Sequence, residues 1–226
     1  VDIDTGLEIE SRYFAACVLS TESKNMINTL WTQLNNIKKG QSRPQGFERT
    51  PTKKVGILGA GMMGAGIAYV TAKAGIDVVL LDTDIANAEK GKAYSANILD
   101  KAISRKRATE EKKQTLLTRI TPTVSYDDLA DCDLIIEAVF ENREIKAKCT
   151  QQSEAVIPST AIYASNTSTL PITGLAKAST RPNQFIGLHF FSPVDKMPLV
   201  EIIVGAQTDD VTLAKAFDYV LQIGKT

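Results

Sequence analysis

Between Lys53 and Gly66 the chain reads Lys-Lys-Val-Gly-Ile-Leu-Gly-Ala-Gly-Met-Met-Gly-Ala-Gly, and no other stretch limits the fold so tightly. Val55 to Leu58 is an apolar run of strand length. Gly59, Gly61 and Gly64 follow in the G-x-G-x-x-G pattern, and Ile67 to Ala74 continues with helical spacing. Strand, glycine turn and helix in that order make a dinucleotide-binding turn. Gly59 permits the tight turn, Gly61 lets a pyrophosphate approach the backbone, and Gly64 lets helix and strand pack closely. The helix N-terminus then offers free N–H groups and a partial positive charge to phosphate. Gly59, Gly61, Met62, Met63 and Gly64 are the cofactor-binding candidates on this turn.

The rest of the chain alternates in a way that suits the turn. Strands are expected at Lys54–Leu58, Asp77–Leu81, Ile120–Val124, Leu134–Ala138, Ala161–Ala164, Gln184–Phe190 and Leu199–Val204. Helical patterns lie between them, at Met62–Ala74, Ile85–Arg105, Thr109–Leu117, Arg143–Val156 and Val211–Gln222, with short turns at Pro171–Lys177. Apolar strands alternating with helices imply an α/β fold, a doubly wound, mostly parallel sheet of Rossmann type with helices on both faces. Ahead of it, residues 5–38 carry two apolar stripes at helical spacing, Ile9 to Val18 and Met26 to Leu34, separated by a capping signal at Ser20-Thr21-Glu22. Their apolar faces call for a partner. Lys38 to Thr52 holds Gly40, Pro44, Gly46 and Pro51 and reads as a linker. The expected organisation is a helical linker segment over 1–52 and a dinucleotide-binding domain over 53–226.

Charge and composition exclude several classes. Lys plus Arg and Asp plus Glu number 26 each, so no basic excess points to nucleic acid or anionic membrane. No apolar run is long enough to span a bilayer. Cys17, Cys132 and Cys149 lack metal-type spacing and suggest reduced thiols, and one histidine cannot build a multi-histidine metal site. The acidic start, Val1-Asp2-Ile3-Asp4, is neither a signal nor a transit peptide and reads as a cut inside a longer chain.

Asp82 stands at the carboxyl end of the second strand, where a dinucleotide site needs an acid for the adenosine ribose hydroxyls. Asp84 is the better helix cap, which leaves Asp82 for ribose. Thr83 to Glu89 contains no Lys or Arg to meet a 2′-phosphate, so NAD is favoured over NADP. The single histidine, His189, ends the strand Gln184–Phe190, at the edge where such sheets bind ligands. If this strand and Leu199–Val204 pair about Asp195, His189 faces Glu201. A carboxylate on one imidazole nitrogen fixes the tautomer and strengthens the other as a base. Glu201 lies in an apolar run, which suggests a buried acid seeking that partner; the alternative is an edge strand with one solvated face. Ser165-Asn166-Thr167-Ser168-Thr169 follows the fifth strand, as a ligand-holding loop or an ordinary capped turn. Glu137, Glu141 and Lys146 cluster after the fourth strand as weaker signals. Together these parts suit oxidation of an alcohol to a ketone, with His189 taking the hydroxyl proton and Ser168 holding the oxygen.

Four motifs carry a family resemblance: Gly59-Ala60-Gly61-Met62-Met63-Gly64, Ile135-Ile136-Glu137-Ala138-Val139, Ala164-Ser165-Asn166-Thr167-Ser168 and Gly187-Leu188-His189-Phe190-Phe191-Ser192-Pro193. From Lys53 onward the chain resembles L-3-hydroxyacyl-CoA dehydrogenases of fatty-acid β-oxidation. Gly6-Leu7-Glu8-Ile9-Glu10-Ser11 is similar to the segment joining hydratase and dehydrogenase in multifunctional enzymes, such as the α subunit of fatty-acid oxidation complexes. The resemblance implies NAD-dependent oxidation of (S)-3-hydroxyacyl-CoA to 3-oxoacyl-CoA, with His189 as base, Glu201 as its partner and Ser168 as an oxygen ligand. It implies nucleotide or nicotinamide contacts at Asp82, Glu141, Lys146 and Asn166, and CoA contacts near Ser95 and Lys101. It further implies an acyl-CoA substrate, a dimer or a complex with a thiolase subunit, a bacterial cytoplasmic or mitochondrial setting, and a helical C-terminal domain that this chain lacks. An NAD-binding module without turnover, and another β-hydroxyacid dehydrogenase, are the competing readings. The second would use a Lys as acid/base, against the His-Glu hairpin.

Overall fold

The computed structural model describes residues 1–226 in two compact units, the first formed largely by Val1–Arg43 and the second by Pro44–Lys225. The division falls inside the expected linker. In the first unit α1 (Ile3–Leu19) begins at Asp2, whose carboxylate accepts from Thr5 N at 2.9 Å. Ser20 ends it and caps α2 (Thr21–Ile27) by accepting from Ser23 N. A π-helical turn, Asn28–Gln33, leads into α3 (Leu34–Lys38). The helices are where the spacing puts them, but none buries a residue, and Tyr13 and Trp31 are each 71% exposed. Consecutive short helices present their stripes with no opposing layer inside the unit, so the expected packing is not made.

The second unit runs β1 (Lys54–Leu58), α4 (Met62–Lys73), β2 (Asp77–Leu81), α5 (Ile85–Ser104), α6 (Glu110–Thr118), β3 (Ile120–Thr123), β4 (Leu134–Glu137), α7 (Arg143–Glu154), β5 (Ile162–Ser165), α8 (Ile172–Leu175), β6 (Phe185–Phe190), β7 (Val200–Ile203) and α9 (Asp210–Gln222). The seven strands are ordered β3-β2-β1-β4-β5-β6-β7. All neighbours are parallel except β6 and β7. β3, the weakest strand signal, is real and lies at the edge, the one place where Pro122 costs no ladder bond.

Alternate side chains feed two cores, as a period of two requires. Val55, Ile57, Leu134, Ile136, Ile186 and Leu188 pack with Ile67 of α4, Leu99 of α5 and Tyr219 of α9. Leu58, Ile135, Tyr163 and Phe185 pack with Cys149 of α7 and Leu175 of α8 on the other face. Both faces are covered, so the strands read as continuous apolar runs. The strand order reverses between β1 and β4, and their carboxyl ends open the crevice where doubly wound sheets bind ligands.

Candidate active site

The three motif glycines do different things. Gly59 has φ +90°, and a Cβ there would stand 2.8 Å from the Ala138 carbonyl oxygen. A Cβ on Gly64 would lie 1.8 Å from the Gly59 oxygen, so turn and helix can close only without it. Around Gly61, the N-cap of α4, nothing lies within 4 Å of an added Cβ. No protein atom requires a glycine there; the open space suits a ligand drawn against the backbone. Two glycines outside the motif complete the packing. Gly91 of α5 closes on Ala60 and Leu80, and Gly66 of α4 closes on Val194.

Asp82 follows β2 and accepts from Ala60 N at 2.8 Å through one oxygen, and from Thr83 N at 2.8 Å through the other. It braces the glycine turn while remaining part exposed. Asp84 caps α5 by accepting from Ala86 N at 2.9 Å, the cap role expected of it. A cleft of about 750 Å³ opens here, lined among others by Gly59, Gly61, Met62, Met63 and Asp82. It also takes in Lys90, one residue beyond the cation-free stretch Thr83 to Glu89, and Tyr126, which lies outside every motif.

The carboxyl ends of β4 and β5 are joined by a buried ionic network. Glu137, 1% exposed, accepts from Val139 N at 2.9 Å, Lys146 Nζ at 2.7 Å and Ser165 Oγ at 2.8 Å. Lys146 Nζ also lies 3.1 Å from Glu141. Glu141 in turn accepts from Thr167 Oγ1 at 2.5 Å, Ser168 N at 3.1 Å and Thr169 N at 3.1 Å. Burial alone would push the Glu141 carboxyl up, but the bonds from Thr167, Lys146 and Thr169 prevail and hold it at about 2. Asn142 caps α7 and so sets Lys146 on the buried side of that helix.

Two residues expected to touch ligand are buried in this structure. Lys146 is 2% exposed and held between two carboxylates, so it serves as a tether and is not a free cofactor ligand. Ser95 is completely buried in α5 and does not present its hydroxyl to CoA. Lys101 is exposed near the C-terminal end of α5.

β6 and β7 pair antiparallel with His189 directly opposite Glu201, the register that a hairpin about Asp195 requires. His189 Nδ1 and Glu201 Oε2 are 2.8 Å apart. With Nδ1–H donating to the carboxylate, Nε2 carries the free lone pair. The Phe191 ring lies 4.6 Å from the imidazole, centroid to centroid. Glu201 is not buried: its side chain is 51% exposed, because β7 is the sheet edge and turns one face to solvent. Asn166 Oδ1 accepts from Phe190 N at 2.8 Å, which ties the loop after β5 to the residue beside His189. The Ser168 residue is exposed on that loop. The pair lies outside the cleft, on β6, three strand spacings or about 14 Å from β1. The glycine turn and the His189–Glu201 pair share the carboxyl edge of the sheet, bridged by the ends of β4 and β5.

The family model described as 3-hydroxyacyl-CoA dehydrogenase, NAD binding domain, matches residues 54–226. The fatty acid oxidation complex subunit alpha of Shewanella sp. (strain W3-18-1) is 40% identical over 222 residues, 98% of this chain and 31% of its own length. The chain thus spans less than a third of that relative. The 3-hydroxybutyryl-CoA dehydrogenase of Bradyrhizobium diazoefficiens is 47% identical over 173 residues, covering 76% of this chain and 59% of that protein. The crystal structure of (S)-3-hydroxybutyryl-CoA dehydrogenase from Ralstonia eutropha superposes with a TM-score of 0.75 at 44% identity, covering 77% of this chain and 62% of the other.

Proposed function

The chain belongs to the 3-hydroxyacyl-CoA dehydrogenase NAD-binding-domain family, and from that premise we propose that it carries the cofactor-binding and proton-accepting half of an NAD-dependent 3-hydroxyacyl-CoA dehydrogenase. The observation that carries this reading is the His189–Glu201 pair, in register at 2.8 Å, on the same sheet edge as the glycine turn. The open space at Gly61, the tight closure at Gly64 and the part-exposed Asp82 fit a dinucleotide. When bound, NAD supplies the hydride acceptor at the carbinol carbon. Gly61 and the N-terminus of α4 would hold the pyrophosphate, and Asp82 the adenosine ribose. His189 Nε2 takes the hydroxyl proton, and Glu201 stabilises the imidazolium that results. The exposed Ser168 hydroxyl is the candidate to steady the substrate oxygen. Glu137, Lys146 and Glu141 keep that loop in place. The relatives named as alpha subunits of a fatty acid oxidation complex support an acyl-CoA substrate, a partner subunit and a bacterial cytoplasmic setting. No helix is long and apolar enough to cross a membrane.

The test is NADH formation from 3-hydroxybutyryl-CoA by the intact protein. In it, His189→Gln lowers kcat by about 10²–10⁴-fold while NAD affinity stays within about twofold. Equal loss of both would make His189 a structural residue. One observation favours a second reading, NAD binding without efficient turnover by these 226 residues alone. Glu201 is half open to water, and hydride transfer needs a site that excludes it. NAD saturation of this chain with no turnover, beside an active longer protein, would decide for it.

A further inference from the structure

Beyond the end of α9, Gly224 adopts φ +74° and Lys225 N returns to the Val220 carbonyl at 3.0 Å. This left-handed helix end turns the chain back on itself and aims the Lys225 side chain inward. Lys225 is 6% exposed. Its Nζ donates to the carbonyl oxygens of Val194 and Met197, each at 2.5 Å. Both belong to the loop that joins β6 to β7. Burial lowers the Lys225 pKa, and its partners are neutral carbonyls, with Asp195 acting on it only at a distance. A buried ammonium held this way is a costly device for a loop that could be solvated.

What that loop joins explains the device. It leaves β6 after His189 and enters β7 just ahead of Glu201. Val194 packs against Gly66 of α4, Ser192 Oγ lies 3.7 Å from Met62 Sδ on the glycine turn, and Tyr94 of α5 donates to Asp195 at 3.1 Å. The loop therefore spans the nucleotide helix and the catalytic hairpin, and two of its carbonyls answer to one cation.

We propose that Lys225 is a positioning residue of the proposed reaction: its ammonium clamps the β6–β7 loop and so keeps Glu201 opposite His189. The inference rests on the reading of that pair as the base. Without the ammonium, the Val194 and Met197 carbonyls lose a buried donor and the loop relaxes. A displacement of about 1 Å in such a pair costs about 100-fold in rate.

The lone histidine makes a direct readout, because every imidazole signal of this chain is His189. Imidazole nitrogen NMR of the chain is expected to show the Nδ1–H tautomer locked by Glu201. Lys225→Met, which keeps the stem and removes the donors, is expected to show mixed tautomers. In the intact protein it is expected to lower kcat about 10- to 100-fold with NAD affinity within about twofold. Lys225→Cys in a Cys17→Ser background, alkylated with bromoethylamine, rebuilds the ammonium and is expected to restore both. If Lys225→Met does not fold, Lys225→Gln, with a shorter neutral donor, is read the same way. An unchanged tautomer in the folded variant overturns the proposal, as does mixing that the rebuilt ammonium does not reverse. If the unaltered protein turns nothing over, the functional reading fails, and the NMR arm still decides the clamp.

Discussion

At the scale of single residues, the site is a matter of which atoms are already engaged. His189 has one nitrogen on Glu201, so its other nitrogen is the one left for a hydroxyl proton in the proposed reaction. Glu201→Gln keeps the size and removes the charge that favours the correct tautomer and the imidazolium. It is expected to cost about 10²–10⁴-fold in kcat, measured with NAD saturating, while Tm changes little because the side chain is half exposed. Glu141 gives a prediction in pH. Its folded pKa of about 2 lies below the ordinary 4.5, so its ionised form adds stability that is present above pH 4.5 and is lost as pH falls toward 2. Glu141→Gln should therefore melt below the unaltered protein at pH 7, and the gap should close across that acid window. A gap that persisted at pH 2 would mean that packing, and not charge, is what Glu141 contributes.

At the scale of elements, the strand–turn–helix unit separates glycines that pack from a glycine that receives. Gly64→Ala places a methyl 1.8 Å from a backbone oxygen, which no side-chain motion can relieve. It is expected to lower Tm and abolish NAD binding together. Gly61→Ala meets no protein atom within 4 Å, so Tm without ligand should hold within about 2 °C while NAD affinity falls at least about tenfold. Calorimetry of the two variants, paired with NADH fluorescence titration, tells them apart. The motif alone could not rank them, because both positions are simply glycine in the sequence. The hairpin shows the same limit differently. The symmetry of His189 and Glu201 about Asp195 was legible in the spacing. The exposure of Glu201 was not, since an apolar run reads alike on a central strand and on an edge strand.

At the scale of the whole molecule, the second unit places the glycine turn and the His189–Glu201 pair on one sheet and uses buried ions to hold the loops between them. NAD at a hundredfold excess over its Kd should add about 2.7 kcal/mol, a rise of roughly 5–10 °C in the Tm of a unit this size. NADP should add far less, because its 2′-phosphate meets Asp82; an equal shift would mean that Lys90 pairs with it. The sequence by itself determined the strand–helix alternation, the nucleotide turn, the cap at Asp84 and the pairing of His189 with Glu201, because each depends on residues close together in the chain or on a rare residue type. Only the tertiary structure decided what lies across long separations. It put Lys146 between Glu137 and Glu141, buried Ser95 and brought Lys225 under the β6–β7 loop. The physical reason is that local spacing fixes which face of an element a side chain takes, whereas burial and ionic partners are set by whatever element packs on that face.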